Sequence, residues 1–242
     1  MGAAVGASVR GDVLWASRGR SEATTRRAAA FADVESVEEL VRRSDAILSI
    51  CPPVIAEETA ERVFGLGFDG IYIDANAISP ARMRRIGTFG PRVVDASIIA
   101  ATGINLYLAG EDAAEVAALF GEDVTAIPLG PDLGAASALK MAFGGWNKIG
   151  IALAANAYAI ARAYGVTEQL EAEGVSAERI PRMAGRAWRW VPEMEEIAAT
   201  CAELGLPDEI PRGAATLYRR WELHRDSAPA LEELLDDLVS RA

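Results

Sequence analysis

The chain contains one histidine, two cysteines and only two lysines among its 24 basic residues, and each scarcity removes a class of chemistry. With His224 alone, a multi-histidine metal site is excluded, and a histidine-based triad would have to use that residue. No partner motif surrounds it, so it reads as a surface residue, and no metal is expected. Cys51 and Cys201 are too few and too far apart for a disulfide framework or a cysteine cluster, which suits a reducing, cytoplasmic location. No apolar run reaches the length of about 18 residues that a membrane span needs. Met1 is followed by small residues without the charged and apolar regions of a signal peptide. Basic excess is missing as well. A net charge of −11 and a pI near 4.7 argue against nucleic-acid and anionic-membrane partners, while leaving room for a local basic patch on a phosphate.

What is present is a globular composition, 51% hydrophobic and 24% charged over 242 residues, enough for a substantial core. The lysine shortage itself is informative. Arginine fills nearly every basic position, so Lys140 and Lys148 mark places where an amine that can release its proton is not equivalent to a guanidinium that cannot; the plain alternative is chance.

Along the first half, short apolar runs alternate with amphipathic segments. Strands are expected at Val13–Ala16, Ala46–Ile50, Ile71–Asp74, Arg92–Ala96, Leu106–Ala109 and Thr125–Pro128. Helices are expected at Ser21–Ala32, Ser36–Ser44, Ile55–Leu66, Ser79–Ile86 and Asp112–Phe120. Ser36 and Glu39 have capping-box spacing, and Pro80 suits a first helical position. This alternation indicates an α/β domain with a largely parallel sheet. After Pro131 the pattern changes: Leu133–Tyr164 has no proline and reads as one helix, roughly 45 Å long at 1.5 Å per residue. Helices are then expected at Ala177–Val191, Glu193–Leu204, Arg212–Arg225 and Ala230–Arg241. The expected domains are 1–131, α/β, and 132–242, all-α. The first residues, Met1–Gly6, read as a helix where such a domain normally opens with a strand and a glycine-rich turn.

The segments SICPP, IDANAISP, VDASIIA and GAASALKMAFGGWNK, in this order, resemble the β-hydroxyacid dehydrogenase and 6-phosphogluconate dehydrogenase superfamily of NAD(P)-dependent oxidoreductases. AWRWVPEMEEIAATCAELGLP resembles a bacterial branch of it. The resemblance covers nearly the whole chain. It implies a Rossmann-like N-terminal domain, here incomplete because the first strand is missing, and an all-α C-terminal domain built on a long interdomain helix and usually dimeric. Of the family's G-x-G-x-x-G fingerprint only the last glycine is matched, by Gly2. Either the chain is shortened or its start misplaced, or this is a relative that has discarded its dinucleotide site.

The same resemblance implies roles for individual residues. Lys140 lies on the motif that carries the catalytic lysine. Asn147, seven residues on and on nearly the same helix face, replaces a polar substrate contact, and Trp146 walls the pocket. Ser97 and Ile98 match a substrate loop, in which only Ser97 offers a polar handle. Ser17, Arg18, Arg20 and Ser21 follow the strand that meets the adenosine ribose. With no acidic residue between Trp15 and Ser21, the cofactor expected is NADP. Cys51, Pro52, Pro53 and Asn76 are expected near the nicotinamide riboside, although the prolines can simply end a strand and Asn76 can cap a turn. Trp188, Trp190, Glu193, Glu195 and Glu196 form an aromatic and acidic stretch in which Pro192 should break or restart a helix; the plainer reading is core tryptophans beside a solvated turn. Two functions follow. One is an oxidoreductase on a small carbonyl, hydroxy or imine substrate with Lys140 as general acid/base. The other is a non-redox descendant that uses the same cleft for dehydration, isomerisation, cyclisation or ligand binding. NADP binding is expected to be weak or lost. A homodimer is expected, with Leu231, Leu234, Leu235 and Leu238 in its seam.

Overall fold

The structure is a computed structural model and describes residues 2–239. The chain divides into two compact units, Met1–Lys140 and Met141–Ala242.

The first unit runs α1 (Gly2–Gly6), β1 (Leu14–Trp15), α2 (Glu22–Arg27), β2 (Ala32–Asp33), α3 (Val37–Arg43), β3 (Ala46–Ser49), α4 (Ala56–Gly65), β4 (Ile71–Asp74), α5 (Pro80–Ile86), β5 (Val93–Ile99), β6 (Ile104–Ala109), α6 (Ala113–Ala117) and β7 (Val124–Gly130). The predicted caps form: Ser21 accepts from the Thr24 amide and Ser36 from that of Glu39, satisfying donors that a helix start leaves open. Several boundaries differ from expectation, and β2 is an element not expected. The helix predicted through Ala32 ends at Arg27, and Ala32 and Asp33 pair with Leu14 and Trp15. Phe31 packs so closely on Gly6 that a Cβ there would stand 3.0 Å from its ring. That long-range contact draws the segment away from helix.

Strands β3 to β7 form one sheet in sequence order. All pairs are parallel except β5 with β6, and β1 and β2 make a separate parallel pair. The period of two assigns the faces. Ile73, Val94, Ala96, Ile98, Leu106 and Leu108 pack on one side with Val5, Val116 and Phe120. Ile47 and Tyr72 pack on the other with Ala60, Val63, Met83 and Ile86.

Helix α7 (Ala135–Ala163) starts in the first unit and continues into the second. It is followed by α8 (Thr167–Ala172), α9 (Arg179–Ala184), α10 (Trp190–Glu203), α11 (Glu209–Arg220) and α12 (Leu231–Val239). No strand follows Gly130 among the described residues. Pro192 sits where a helix restarts, as expected: α10 opens at Trp190 after a turn at Ala187–Arg189. It is the third residue of α10, where its missing N–H would have had no intrahelical partner. The core of this unit includes Trp190, Met194, Tyr218, Trp221, Leu234 and Leu235, with Trp190 edge-on to Tyr218 at 5.2 Å. Two expectations are corrected here. Leu234 and Leu235 lie in the chain's own core and offer no dimer seam. His224 is not a bare surface residue, because Nε2 lies 2.7 Å from Asp237 on α12. Among the described residues no helix is long and apolar enough to cross a membrane.

Candidate functional site

Lys140 lies on the second turn of α7, half-buried, and its Nζ donates to the Ile98 carbonyl at 2.6 Å. The start of this helix is unusual. Gly134 provides the first helical acceptor, to the Ala138 amide, so it occupies the N-cap. Its φ of +107° suits glycine, and a Cβ would come within 3.1 Å of Arg84. A glycine has no side chain with which to cap. Asp95, fully buried on β5, supplies the missing acceptor: Oδ2 accepts from the Gly134 amide at 3.0 Å and the Ser137 amide at 2.8 Å, and Oδ1 from the Ser137 hydroxyl at 2.7 Å. These are the two amides that a capping box would satisfy from within a helix.

The predicted substrate segment is part of β5, not a loop. Ile98 turns its side chain into the core, so only its carbonyl is available to Lys140. Ser97 faces the opposite side with Asp95, buried, and its hydroxyl has no hydrogen-bond partner among the described residues.

A row of polar side chains crosses the same face: Ser49 is in register with Asp74, and Asp74 with Asp95. Asn76 ties the row to the predicted nicotinamide segment. Its Oδ1 accepts from the Cys51 amide at 2.6 Å, and Nδ2 donates to Ser49 at 3.2 Å and Asp74 at 2.9 Å. Asn76 is buried and both ends of its amide are engaged, so the expected contact with a ribose or nicotinamide is replaced by a structural one. Cys51 and Pro53 are half-buried and Pro52 is exposed; burial pushes the Cys51 thiol up. Burial, reinforced by the Asp95 charge, pushes Asp74 from 3.8 up to about 7, against the bonds from Asn76. Between those pH values the folded state holds a proton that the unfolded chain has released. Stability should therefore fall as pH rises through this window, by about 2–4 kcal/mol, and level off above it. In Asp74→Asn, urea unfolding at pH 4 to 7 should lose most of that slope; an unchanged slope would show that Asp74 is not its source.

On the separate β1–β2 pair, Ser17, Arg18, Arg20 and Ser21 follow β1 as predicted. Arg18, Arg20 and Ser21 are exposed. The inference of an acid-free ribose site is corrected, however. Asp33 on β2 accepts from the Ser17 amide at 3.3 Å and the Glu35 amide at 2.8 Å, and its hydrogen bond with Ser17 holds its carboxyl below the usual range. A carboxylate thus stands against the loop expected to take a phosphate. Gly2 opens a helix of five residues and would place a Cβ 3.7 Å from Ile50. Exposed Arg18 and Arg20 put positive charge on the loop after β1, and Asp33 sets a carboxylate against it.

In the second unit Asn147 accepts from Arg179 through its Oδ1. Trp146 is 85% exposed. The other lysine has a distinct place: Lys148 pairs with Glu193 of α10, both nearly buried, and its Nζ lies 5.8 Å from the centre of the Trp190 ring. The acidic stretch is therefore partly internal. Sequence reasoning missed Asp95, Ser137 and Glu193 as structural partners. A carboxylate inside an otherwise apolar strand was the available signal for Asp95.

The family model described as a domain of unknown function, DUF1932, matches residues 161–221. No curated protein matches the chain. Among solved structures, the conserved protein MTH1747, of unknown function and reported as structurally similar to 3-hydroxyacid dehydrogenases, is 26% identical, with 94% of each chain covered and a TM-score of 0.66. A Mycobacterium tuberculosis 3-hydroxyisobutyrate dehydrogenase with L-serine is 18% identical over 99% of this chain and 96% of its own, with a TM-score of 0.69. A reductive aminase from Aspergillus terreus in complex with NADPH and ethyl levulinate is 17% identical over 90% and 88%, with a TM-score of 0.52. With an α/β sheet unit followed by a helical one, the chain has the two-domain fold of the 3-hydroxyacid dehydrogenase-like proteins.

Proposed function

We propose that this chain is a cytoplasmic enzyme of the hydroxyacid dehydrogenase-like oxidoreductases, acting on a small carbonyl, hydroxy or imine substrate with Lys140 as general acid/base. The observation that carries this reading is the placement of Lys140. It is one of two lysines, and its amine is held by the carbonyl of Ile98, the residue after Ser97 on β5. Reduction or oxidation at a carbinol or amine carbon moves a proton on the heteroatom, and an amine can carry it where a guanidinium cannot. Ile99 shares the face of Ser97, which suits a substrate of modest polarity.

For the cofactor we propose NADP(H), held weakly or not at all. Arg18 and Arg20 offer charge, but Asp33 opposes it and Asn76 is spent internally. The same observations favour a second reading, in which Lys140 serves a cofactor-independent dehydration, isomerisation or cyclisation. Titration with NADPH, followed by the fluorescence of the five tryptophans, separates the two. Weak or absent binding is expected, with Arg18→Ala changing little; a low-micromolar Kd lost in Arg18→Ala would establish the redox reading.

We also propose a homodimer. Trp146, Leu153 and Ile160 recur every seventh residue along α7 at 85, 69 and 55% exposure. Beside them lies a groove of about 410 Å³ between α7 and α11, lined by residues including Ile149, Ala152, Ile210 and Leu217. A stripe and groove of this kind favour an isologous contact with a second copy. Light scattering at micromolar concentration should give twice the chain mass, reduced to the monomer in Leu153→Glu; a monomeric parent protein would refute the dimer.

A further inference from the structure

We infer that Asp95 is a positioning residue for Lys140: by capping α7 from a neighbouring strand, it sets where the Lys140 amine stands. The inference rests on Lys140 being the working group of the proposed function, but its geometry stands apart from any reaction.

Helix α7 begins at a residue that cannot cap it, and the first turn of a helix frays when its amides lack acceptors. Asp95 takes three donors from Gly134 and Ser137 and is itself anchored within the sheet by pairing with Ala109 on β6 and register with Asp74 on β4. Ser137 lies three residues before Lys140, and Ile98, whose carbonyl holds Lys140 Nζ, lies three residues after Asp95. Strand and helix are thus joined at two points, Asp95 to Ser137 and Ile98 to Lys140. With the first junction intact, the amine has one location over β5. Without it, the first turn is free to shift, and a displacement of about 1 Å at a reacting group is enough to cost roughly a hundredfold in rate. Burial pushes the Asp95 carboxyl up from its ordinary range, and the hydrogen bonds from Ser137 and Gly134 act against that rise. The Asp95→Asn variant would still offer one oxygen to the two amides, whereas Asp95→Ala would leave both unsatisfied, so geometry and charge can be separated.

The two lysines make the test direct. Limited acetylation with acetic anhydride, read by peptide mass spectrometry, gives the ratio of Lys140 to Lys148 modification in one molecule, with no substrate or cofactor needed. Asp95→Ala should raise the ratio several-fold with Lys148 unchanged, Ser137→Ala should raise it less, and Asp95→Asn should stay near the parent. Where activity is available, Asp95→Ala should lower kcat more than it raises KM and shift the pH profile, and Asp95→Asn should restore most of the loss. A folded Asp95→Ala protein with an unchanged ratio overturns the inference. So does a parallel rise at both lysines, or an Asp95→Asn protein as altered as Asp95→Ala. Should Asp95→Ala fail to fold, Ser137→Ala decides: an unchanged ratio there also overturns it. A changed ratio in a protein without turnover would sustain the positioning role while removing the proposed activity.

Discussion

Lys140→Ala should lower kcat/KM on a carbonyl or imine substrate by about 10²–10⁴-fold, the usual worth of a positioned acid or base, and leave the folded protein otherwise intact. The side chain reaches the Ile98 carbonyl from a half-buried position, so its removal opens no large core cavity. Lys140→Arg is the sharper variant. It keeps the positive charge and a donor for the carbonyl, but a guanidinium does not give up its proton near neutral pH. If proton transfer is the role of Lys140, the arginine variant should be nearly as inactive as the alanine one. If the role is only to hold a negative charge, arginine should recover most of the rate, and the acid/base reading falls. The measurement is initial rate against a panel of small ketones, hydroxy acids and imines, with and without dihydronicotinamide cofactor, so that a cofactor-independent reaction is seen as well.

Glu193→Ala should cost about 3–5 kcal/mol of folding free energy, the penalty for leaving one member of a buried ion pair without the other. The side chains of Lys148 and Glu193 are 15 and 10% exposed, so water does little to screen the ammonium left behind. The Trp190 ring near Lys148 Nζ offsets part of the loss. The carboxylate also explains a glycine. A Cβ on Gly144 would lie 2.7 Å from Glu193 Oε1, so α10 approaches α7 where α7 has no side chain, and Gly144→Ala should push the carboxylate off its partner. Replacing both charges together, Lys148→Met with Glu193→Met, should recover most of the loss, because two apolar chains need no mutual neutralisation. Urea unfolding of the two single variants and the double variant forms the cycle; a Glu193→Ala protein as stable as its parent would show that the pair contributes nothing.

Much of the first unit was legible from local pattern. Ile71–Asp74 is a strand as read, Ser21 and Ser36 cap the helices they precede, and the proline-free stretch after Leu133 is one helix. These features depend on neighbours within a turn or a strand's length, and periodicity and capping chemistry act over that range. Lys140 stood out on scarcity of its residue type and on a motif, both of them properties of the string itself.

Other features depend on which distant residues meet, and the string does not carry that directly. Phe31 leaves the helical pattern because Gly6 receives its ring. Asn76 looks like a free polar end until Ser49, Cys51 and Asp74 occupy its amide, and the loop after β1 looks free of acid until Asp33 arrives from the next strand. The leucines of α12 have the spacing of a seam in either an interface or a core, and only the folded chain shows that Leu234 and Leu235 are buried in its own core. Sequence alone determined most of the order of elements, though not β2 or α8, together with the change from α/β to all-α and the lysine worth watching. The tertiary structure decided which polar groups are already spent on one another, because a buried donor or acceptor must find a partner and that partner is commonly tens of residues away.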